Sequence, residues 1–259
     1  MILNCILVFL ALNFSIFICA IILSVLLNKD IKLWQAIKLI CICGALNKFL
    51  LTGSGYLVIS RRLKINGLAF YKSLSAFGIF ELFSAAPWIF LGLYFGANIA
   101  IRIPALLTVF LVLGLIFAIY KRKEAAIFLK ETLSYFKKTK FNIIAIIPLV
   151  LINVLTYTIY YSSFFRVFGV RFDLLDVLKI VSVAFTVGYL SPAPGGLGFK
   201  ESGLIFLLMQ KGLSLKDSLS IAITDRVLIT AFYLILGILF GAEMIVGEIK
   251  KRFSRDFLA

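Results

Sequence analysis

The sequence contains no histidine. That removes the commonest metal ligand and the usual general base. Acidic residues are scarce as well, with 12 Asp and Glu against 27 Lys and Arg, a formal net charge of +15. Cysteine is limited to Cys5, Cys19, Cys41 and Cys43, all in apolar segments of the first 43 residues. Cys41-x-Cys43 lacks zinc spacing and has no partner pair downstream. The four read as small membrane-compatible residues, and no metal or other cofactor is expected. There is no Walker motif, so any work the chain does is driven by a gradient or by mass action. The apolar stretch at Met1 has no charged flank and no A-x-A-like cleavage site, so it reads as a retained span rather than a signal peptide.

What the chain has in plenty is apolar surface. Of its 259 residues, 62% are hydrophobic, and the mean hydropathy is +1.08. Soluble domains run at about 45–50% apolar. Several windows exceed the roughly 18 apolar residues that a helix needs to cross a bilayer. The chain therefore reads as an all-α, polytopic helical membrane protein. On a soluble protein the basic excess would point to nucleic acid. Here the basic residues flank apolar segments, which fits positive-inside anchoring and contact with anionic lipid, with no nucleic-acid partner expected.

The apolar windows predict seven spans, near residues 2–27, 33–51, 70–97, 103–120, 142–165, 177–190 and 218–246. Residues 121–140 are polar and basic, but Ala125, Ile127, Phe128, Leu133 and Phe136 recur at near-helical spacing, as in a helix lying in the interface. The basic stretches at 61–64, 121–140 and 250–255 should all face the cytoplasm. An inside N-terminus satisfies the first two, and three further crossings then leave the tail outside. One extra crossing or half-crossing repairs this. The repair falls either at residues 191–203 or within a split seventh segment.

Residues 191–203 read SPAPGGLGFKESG, with two prolines and four glycines between long apolar segments. Proline lacks a backbone donor, and glycine weakens helix while permitting unusual angles, so the chain must break here. Backbone left unpaired in hydrocarbon must face protein or a water-filled cavity. Broken apolar segments of this kind point to the substrate site of a transporter. The charged pair Lys200–Glu201 lies inside the break. The plainer reading is a Gly/Pro-rich loop joining two spans.

The two halves of the chain resemble each other. Lys72-Ser73-Leu74-Ser75 matches Asp217-Ser218-Leu219-Ser220, 145 residues on. The same offset relates Leu91-Gly92-Leu93-Tyr94-Phe95-Gly96 to Leu236-Gly237-Ile238-Leu239-Phe240-Gly241, and Glu81 to Arg226. Near the glycine regions the offset is 143, which relates Asp30 to Asp173 and Thr52-Gly53-Ser54-Gly55 to Gly195-Gly196-Leu197-Gly198. Each half is then span, span, Gly-rich broken or re-entrant element, span. The expected organisation is one membrane domain, 1–259. Repeat one is about 1–97, a connecting span and amphipathic segment about 98–141, repeat two about 142–247, and a basic tail 248–259.

The run Pro194, Gly195, Gly196, Leu197, Gly198 and Glu201 resembles the P-G-G-hydrophobic-G-x-x-E motif of the flippase-like, lysylphosphatidylglycerol-synthase transmembrane-region family. This family includes the lipid-flipping half of the multiple peptide resistance factor. Relatives also carry an Arg on the following span, matched by Arg226. Gly53, Gly55, Arg61 and Arg62 loosely resemble the first-half pattern, without its Pro and with shorter Gly spacing. Where relatives often have Glu-Arg in the third span, this chain has Glu81-Leu82. The resemblance implies a prokaryotic cytoplasmic-membrane protein that moves or handles a phospholipid or lipid-linked saccharide. Aminoacyl transfer, which belongs to a separate soluble domain in such proteins, is not expected of these residues.

The candidate substrate-binding residues are therefore Pro194, Gly195, Gly196, Gly198, Lys200, Glu201, Asp225 and Arg226 in the second half. In the first half they are Gly53, Gly55, Arg61, Arg62 and Glu81. Charges inside a membrane are costly and default to functional roles. Arg226 can take a phosphate bidentately, and amides at the start of the next helix can face an anion. Glu81 and Arg226, at matching positions, are expected to meet across a pseudo-two-fold axis. They would serve as a latch between halves, or as a pair that opens to free Arg226 for phosphate, with Asp225 as a competing partner. No catalytic constellation is apparent, and the chain is not expected to be an enzyme. The alternatives to a flippase or transporter are a membrane-embedded transferase with Glu201 as its base, and an accessory scaffold.

Overall fold

The computed structural model describes residues 1–27, 30–49, 55, 59–60, 70–96, 123–191 and 193–256. Among these residues the protein is all-helical. Seven α-helices follow in order: α1 (Ile2–Leu26), α2 (Leu33–Phe49), α3 (Phe70–Phe95), α4 (Lys123–Val167), α5 (Leu174–Tyr189), α6 (Phe199–Gln210) and α7 (Leu215–Asp256). A short 3-10 turn, Pro194–Gly196, joins α5 to α6. Four helices contain stretches long and apolar enough to cross a membrane: Ile2–Leu26, Ser73–Phe95, Ile144–Val167 and Leu215–Glu243. The span expected at 103–120, together with Gly53, Arg61 and Arg62, lies outside the described residues.

Helix α1 shows why these segments belong in lipid. One side buries Leu12, Ile16, Leu23 and Leu26, while the other exposes Ile2, Phe9, Leu10 and Phe14. A helix apolar on its buried and its exposed side has no water-facing surface to offer. By contrast α5 and α6 are short, at 16 and 12 residues. At 1.5 Å per residue they reach only roughly 18–24 Å, less than a hydrocarbon core of about 30 Å. The structure also differs from the expected separate interface helix at 121–140. From Lys123 the backbone runs without interruption into the apolar segment, as one helix of 45 residues ending at Val167. The reason is local: this stretch is rich in Lys, Glu, Ala and Leu, all good helix formers, and its one proline, Pro148, lies well inside the apolar part.

The helices pack in a reciprocal pattern. Helix α1 lies against α4, α2 against α7, and α3 against α5, while α6 fits between α5 and α7. Two of these crossings depend on a missing side chain. A Cβ at Gly92 of α3 would sit 2.0 Å from Thr186 Oγ1 and 2.7 Å from the Ser182 carbonyl oxygen on α5. A Cβ at Gly237 of α7 would sit 2.5 Å from Ala45 Cβ on α2. Small residues that let backbones approach closely are how helices associate in membranes. At the first crossing the Thr186 hydroxyl lies 2.8 Å from the carbonyl oxygens of both Trp88 and Ser182, and can donate to either.

The same substitution at two glycines of α3 should therefore have opposite effects. Nothing lies within 4 Å of a Cβ placed at Gly78, so Gly78→Ala should stabilise by about 0.5–1 kcal/mol through helix propensity. Gly92→Ala should instead cost about 1–3 kcal/mol through overpacking. Thermal midpoints of the purified variants in detergent check both signs.

Candidate substrate site

The chain leaves α5 at Leu190 and must turn into α6 within a few residues. Gly195, Gly196 and Gly198 make that turn with φ of 56°, 69° and 81°. L side chains rarely adopt this left-handed region, so glycine is the fitting residue at each. Gly196 is constrained a second time. A Cβ there would lie 2.9 Å from the Gly188 carbonyl oxygen and 3.0 Å from Gly188 Cα, both backbone atoms of α5. The turn thus lies directly on α5, and Gly188 is a partner that the sequence motif does not reveal.

Two ion pairs then fasten α6 to α7. Neighbouring residues on α6, Lys200 and Glu201, reach neighbouring residues on α7, Asp225 and Arg226. Lys200 Nζ donates to Asp225 Oδ2 at 2.8 Å. Arg226 Nη1 donates to Glu201 Oε1 at 3.3 Å and to the Gly195 carbonyl oxygen at 2.9 Å. The second carboxylate oxygen of Glu201 accepts from the Gly198 amide at 2.7 Å, so Glu201 caps the helix that carries it. One guanidinium and one carboxylate thereby hold the turn, α6 and α7 together.

Asp225 is 1% exposed. Burying a carboxylate is tolerable only with partners for its charge and lone pairs. Besides Lys200, it accepts from Tyr160 and Tyr161 on α4, each hydroxyl at 3.0 Å. Lys200 packs over the Phe185 ring at 4.8 Å and the Tyr161 ring at 5.5 Å. Phe185 stacks in turn on Trp88 of α3, with ring centroids 5.0 Å apart.

Beside this cluster lies a cavity of about 220 Å³. It is lined from both halves of the chain: by Asn47 and Lys48 of α2 and Glu81 of α3, by Tyr189 of α5, and by Gly195, Gly196 and Lys200. Lys48 is the cation that sequence reasoning passed over. It stands near the Tyr233 ring, 6.0 Å from the centroid, and within Coulombic range of Lys200, Arg226, Asp225 and Glu201. Among the described residues no carboxylate forms an ion pair with Lys48. A lysine in the apolar segment 33–51, which also holds Lys38, was a signal available from the sequence. The Tyr160–Tyr161 pair was not, because tyrosine in an apolar span gives no hint of which carboxylate it will meet.

Of the expected site residues, Gly195, Gly196, Lys200, Glu201, Asp225 and Arg226 come together with the turn, which begins at Pro194. Gly198 starts α6. Gly55 is buried, its amide bonded to Asn47 Oδ1 at 3.0 Å. Glu81 reaches the cavity, but the expected pairing of Glu81 with Arg226 is corrected: the guanidinium is held by Glu201 and Gly195. Nor does Asp225 compete for Arg226, since its oxygens are taken by Lys200 and two tyrosines. The reason is helical geometry. Residues 225 and 226 lie about 100° apart around α7, so one faces the α4 tyrosines and the other the turn.

Removing both members of the buried pair should cost less than the two single removals added together. Asp225→Asn strands the Lys200 charge and should cost about 3–5 kcal/mol. The double variant Lys200→Met with Asp225→Asn should fall short of the summed single losses by about 1 kcal/mol or more. Thermal denaturation of the four proteins in detergent gives the cycle, and strict additivity would show that the two groups do not interact.

A family model described as Lysylphosphatidylglycerol synthase TM region matches residues 1–237. No curated protein and no solved structure matches the chain.

Proposed function

The chain belongs to the lysylphosphatidylglycerol synthase TM region family, and on that premise we propose that it is an integral membrane lipid flippase or transporter. It moves a phospholipid or lipid-linked saccharide between leaflets of a prokaryotic cytoplasmic membrane that it crosses several times, and it is not an enzyme. The observation that carries this reading is Lys48. It lines the cavity beside Lys200, which already holds Asp225, and lies within Coulombic range of Arg226, which already holds Glu201. A phosphate is the counter-charge such a site accepts, through charge-assisted hydrogen bonds. The Gly195 backbone brings the turn against Lys48 and Arg226: a Cβ there would lie 3.4 Å from Arg226 Nη2 and 3.7 Å from Lys48 Cδ. A cavity of about 220 Å³ suits a headgroup, with the acyl or prenyl chains left outside in lipid.

The two halves are read as duplicated units. The reciprocal packing of α2 on α7 and α3 on α5 supports this, as do the tight crossings at Gly92 and Gly237, 145 residues apart. The Gly195–Gly212 region is read as a re-entrant or half-crossing element. Its helix α6 has 12 residues, and Gly212 turns the chain back with φ of 91°. Cysteine labelling tests the resulting topology. In a background without native cysteines, Arg255→Cys should react with an impermeant reagent only from the cytoplasmic side; labelling from outside overturns the half-crossing.

Function is tested by reconstitution into liposomes with labelled phospholipids, scoring appearance in the opposite leaflet. Lys48→Gln should slow translocation by about 10–100-fold, the value of one hydrogen bond to a charged group. Gly196→Val should abolish it while leaving membrane insertion intact. Wild-type rates in both variants would remove the turn and its cavity from the substrate path.

A further inference from the structure

Lys200 occupies two environments at once. Its side chain lines the cavity, and its ammonium is the positive partner of Asp225. Asp225 itself does not reach the cavity, and neither do Tyr160 and Tyr161. An anion entering the cavity therefore meets Asp225 through Lys200. We propose that binding of a phosphate headgroup at this site is coupled to uptake of a proton by Asp225. The proposal rests on the lipid-transport reading above and adds an energy source to it.

The argument is one of charge balance in a dry place. Before binding, the Asp225 carboxylate has one ammonium and two phenol hydroxyls as partners. A bound phosphate shares or captures that ammonium and brings its own negative charge nearby. Both changes disfavour the ionised form of a carboxylate that is 1% exposed. The remaining charged and titratable groups do not reverse this: Glu81 of α3 lines the cavity and, as an acid, adds no positive charge there. On α6, Glu201 is itself anionic and bonded to Arg226. On α2, Lys48 is within Coulombic range but faces the incoming phosphate. On α4, Tyr157, Tyr160 and Tyr161 are neutral phenols. On α7, the guanidinium of Arg226 is directed to the turn.

The protonated acid fits the same shell. Its new O–H donates to one tyrosine oxygen, and the other tyrosine still donates to the remaining carboxyl oxygen. Lys200, which lines the cavity and donates to Asp225, passes a proton to Oδ2 and regains one from a solvent hydronium: one N–H bond and one hydronium O–H bond break, one O–H and one N–H bond form, and water is left. By linkage, acid must also tighten headgroup binding by the same factor. The membrane face at lower pH then loads the lipid, and the face at higher pH releases it.

The test is calorimetric titration of the purified protein in detergent with dihexanoyl phosphatidylglycerol, repeated in buffers of different ionisation enthalpy. The dependence of the observed heat on the buffer counts protons. Uptake approaching one proton per lipid is expected in the pH window between the Asp225 midpoints of the free and the loaded protein, falling away on both sides of it. Tyr161→Phe removes one donor from the carboxylate without changing charge, so it should move the uptake profile to higher pH. Asp225→Asn should bind with no uptake. Clear binding heat with no proton uptake in the unaltered protein overturns the coupling and leaves the transport reading standing. An unmoved profile in Tyr161→Phe overturns Asp225 as the acceptor. Titration with dimethyl phosphate, which like the lipid phosphodiester stays a monoanion, separates a free phosphate from the lipid as source of the anion. Uptake with dimethyl phosphate but not with the lipid keeps the coupling and overturns the lipid as occupant. No binding of either ligand overturns both proposals.

Discussion

A carboxylate removed from water must be answered on every side, and Asp225 is answered by three helices. Its oxygens take hydrogen bonds from α4 through Tyr160 and Tyr161, and from α6 through Lys200, while its backbone belongs to α7. In a membrane the hydrophobic effect gives little reason for one helix to choose another, since lipid tails are as apolar as leucine. A buried charge supplies a reason. It has few acceptable surroundings, and each misplacement strands an ion, which is the kind of specificity such groups can provide.

The neighbouring Arg226 extends that constraint to the turn. Through Glu201 and the Gly195 carbonyl it fixes the start of α6, whose left-handed glycines bring backbone against Gly188. The order of dependence runs outward from the ion pairs. They position α6, α6 positions the turn, and the turn closes one side of the cavity. The opposite side comes from α2 and α3, so the cavity depends on both halves of the chain.

Much of this was legible in the sequence, for identifiable reasons. Helical class and membrane character follow from long apolar runs, which only a helix satisfies in hydrocarbon. The break followed from Pro194 and the glycines, because their backbone restrictions are local. The charged residues Lys200, Glu201, Asp225 and Arg226 stood out because charge is rare in such segments. Their pairing did not. Whether Arg226 meets Glu81 or Glu201 depends on how α6 folds back, which no local rule fixes. Likewise Gly92 and Gly188 look like ordinary membrane glycines until α5 is seen lying across the first and the turn at Gly196 across the second. The continuity of α4 is not legible in this way: a change from polar to apolar composition reads as a boundary, whereas the helix backbone runs straight through it.

That continuity has a mechanical consequence. At 1.5 Å per residue a helix of 45 residues is about 68 Å long, more than twice a hydrocarbon core of about 30 Å. Tilt alone does not absorb the difference, since membrane helices rarely lean beyond about 40°. The amino-terminal half of α4 is therefore a rod continuous with the span that carries Tyr160 and Tyr161. Rocking that span by about 10° would sweep the far end of a roughly 40 Å arm through some 7 Å. Small rearrangements around the buried carboxylate would be read out, amplified, well beyond the lipid.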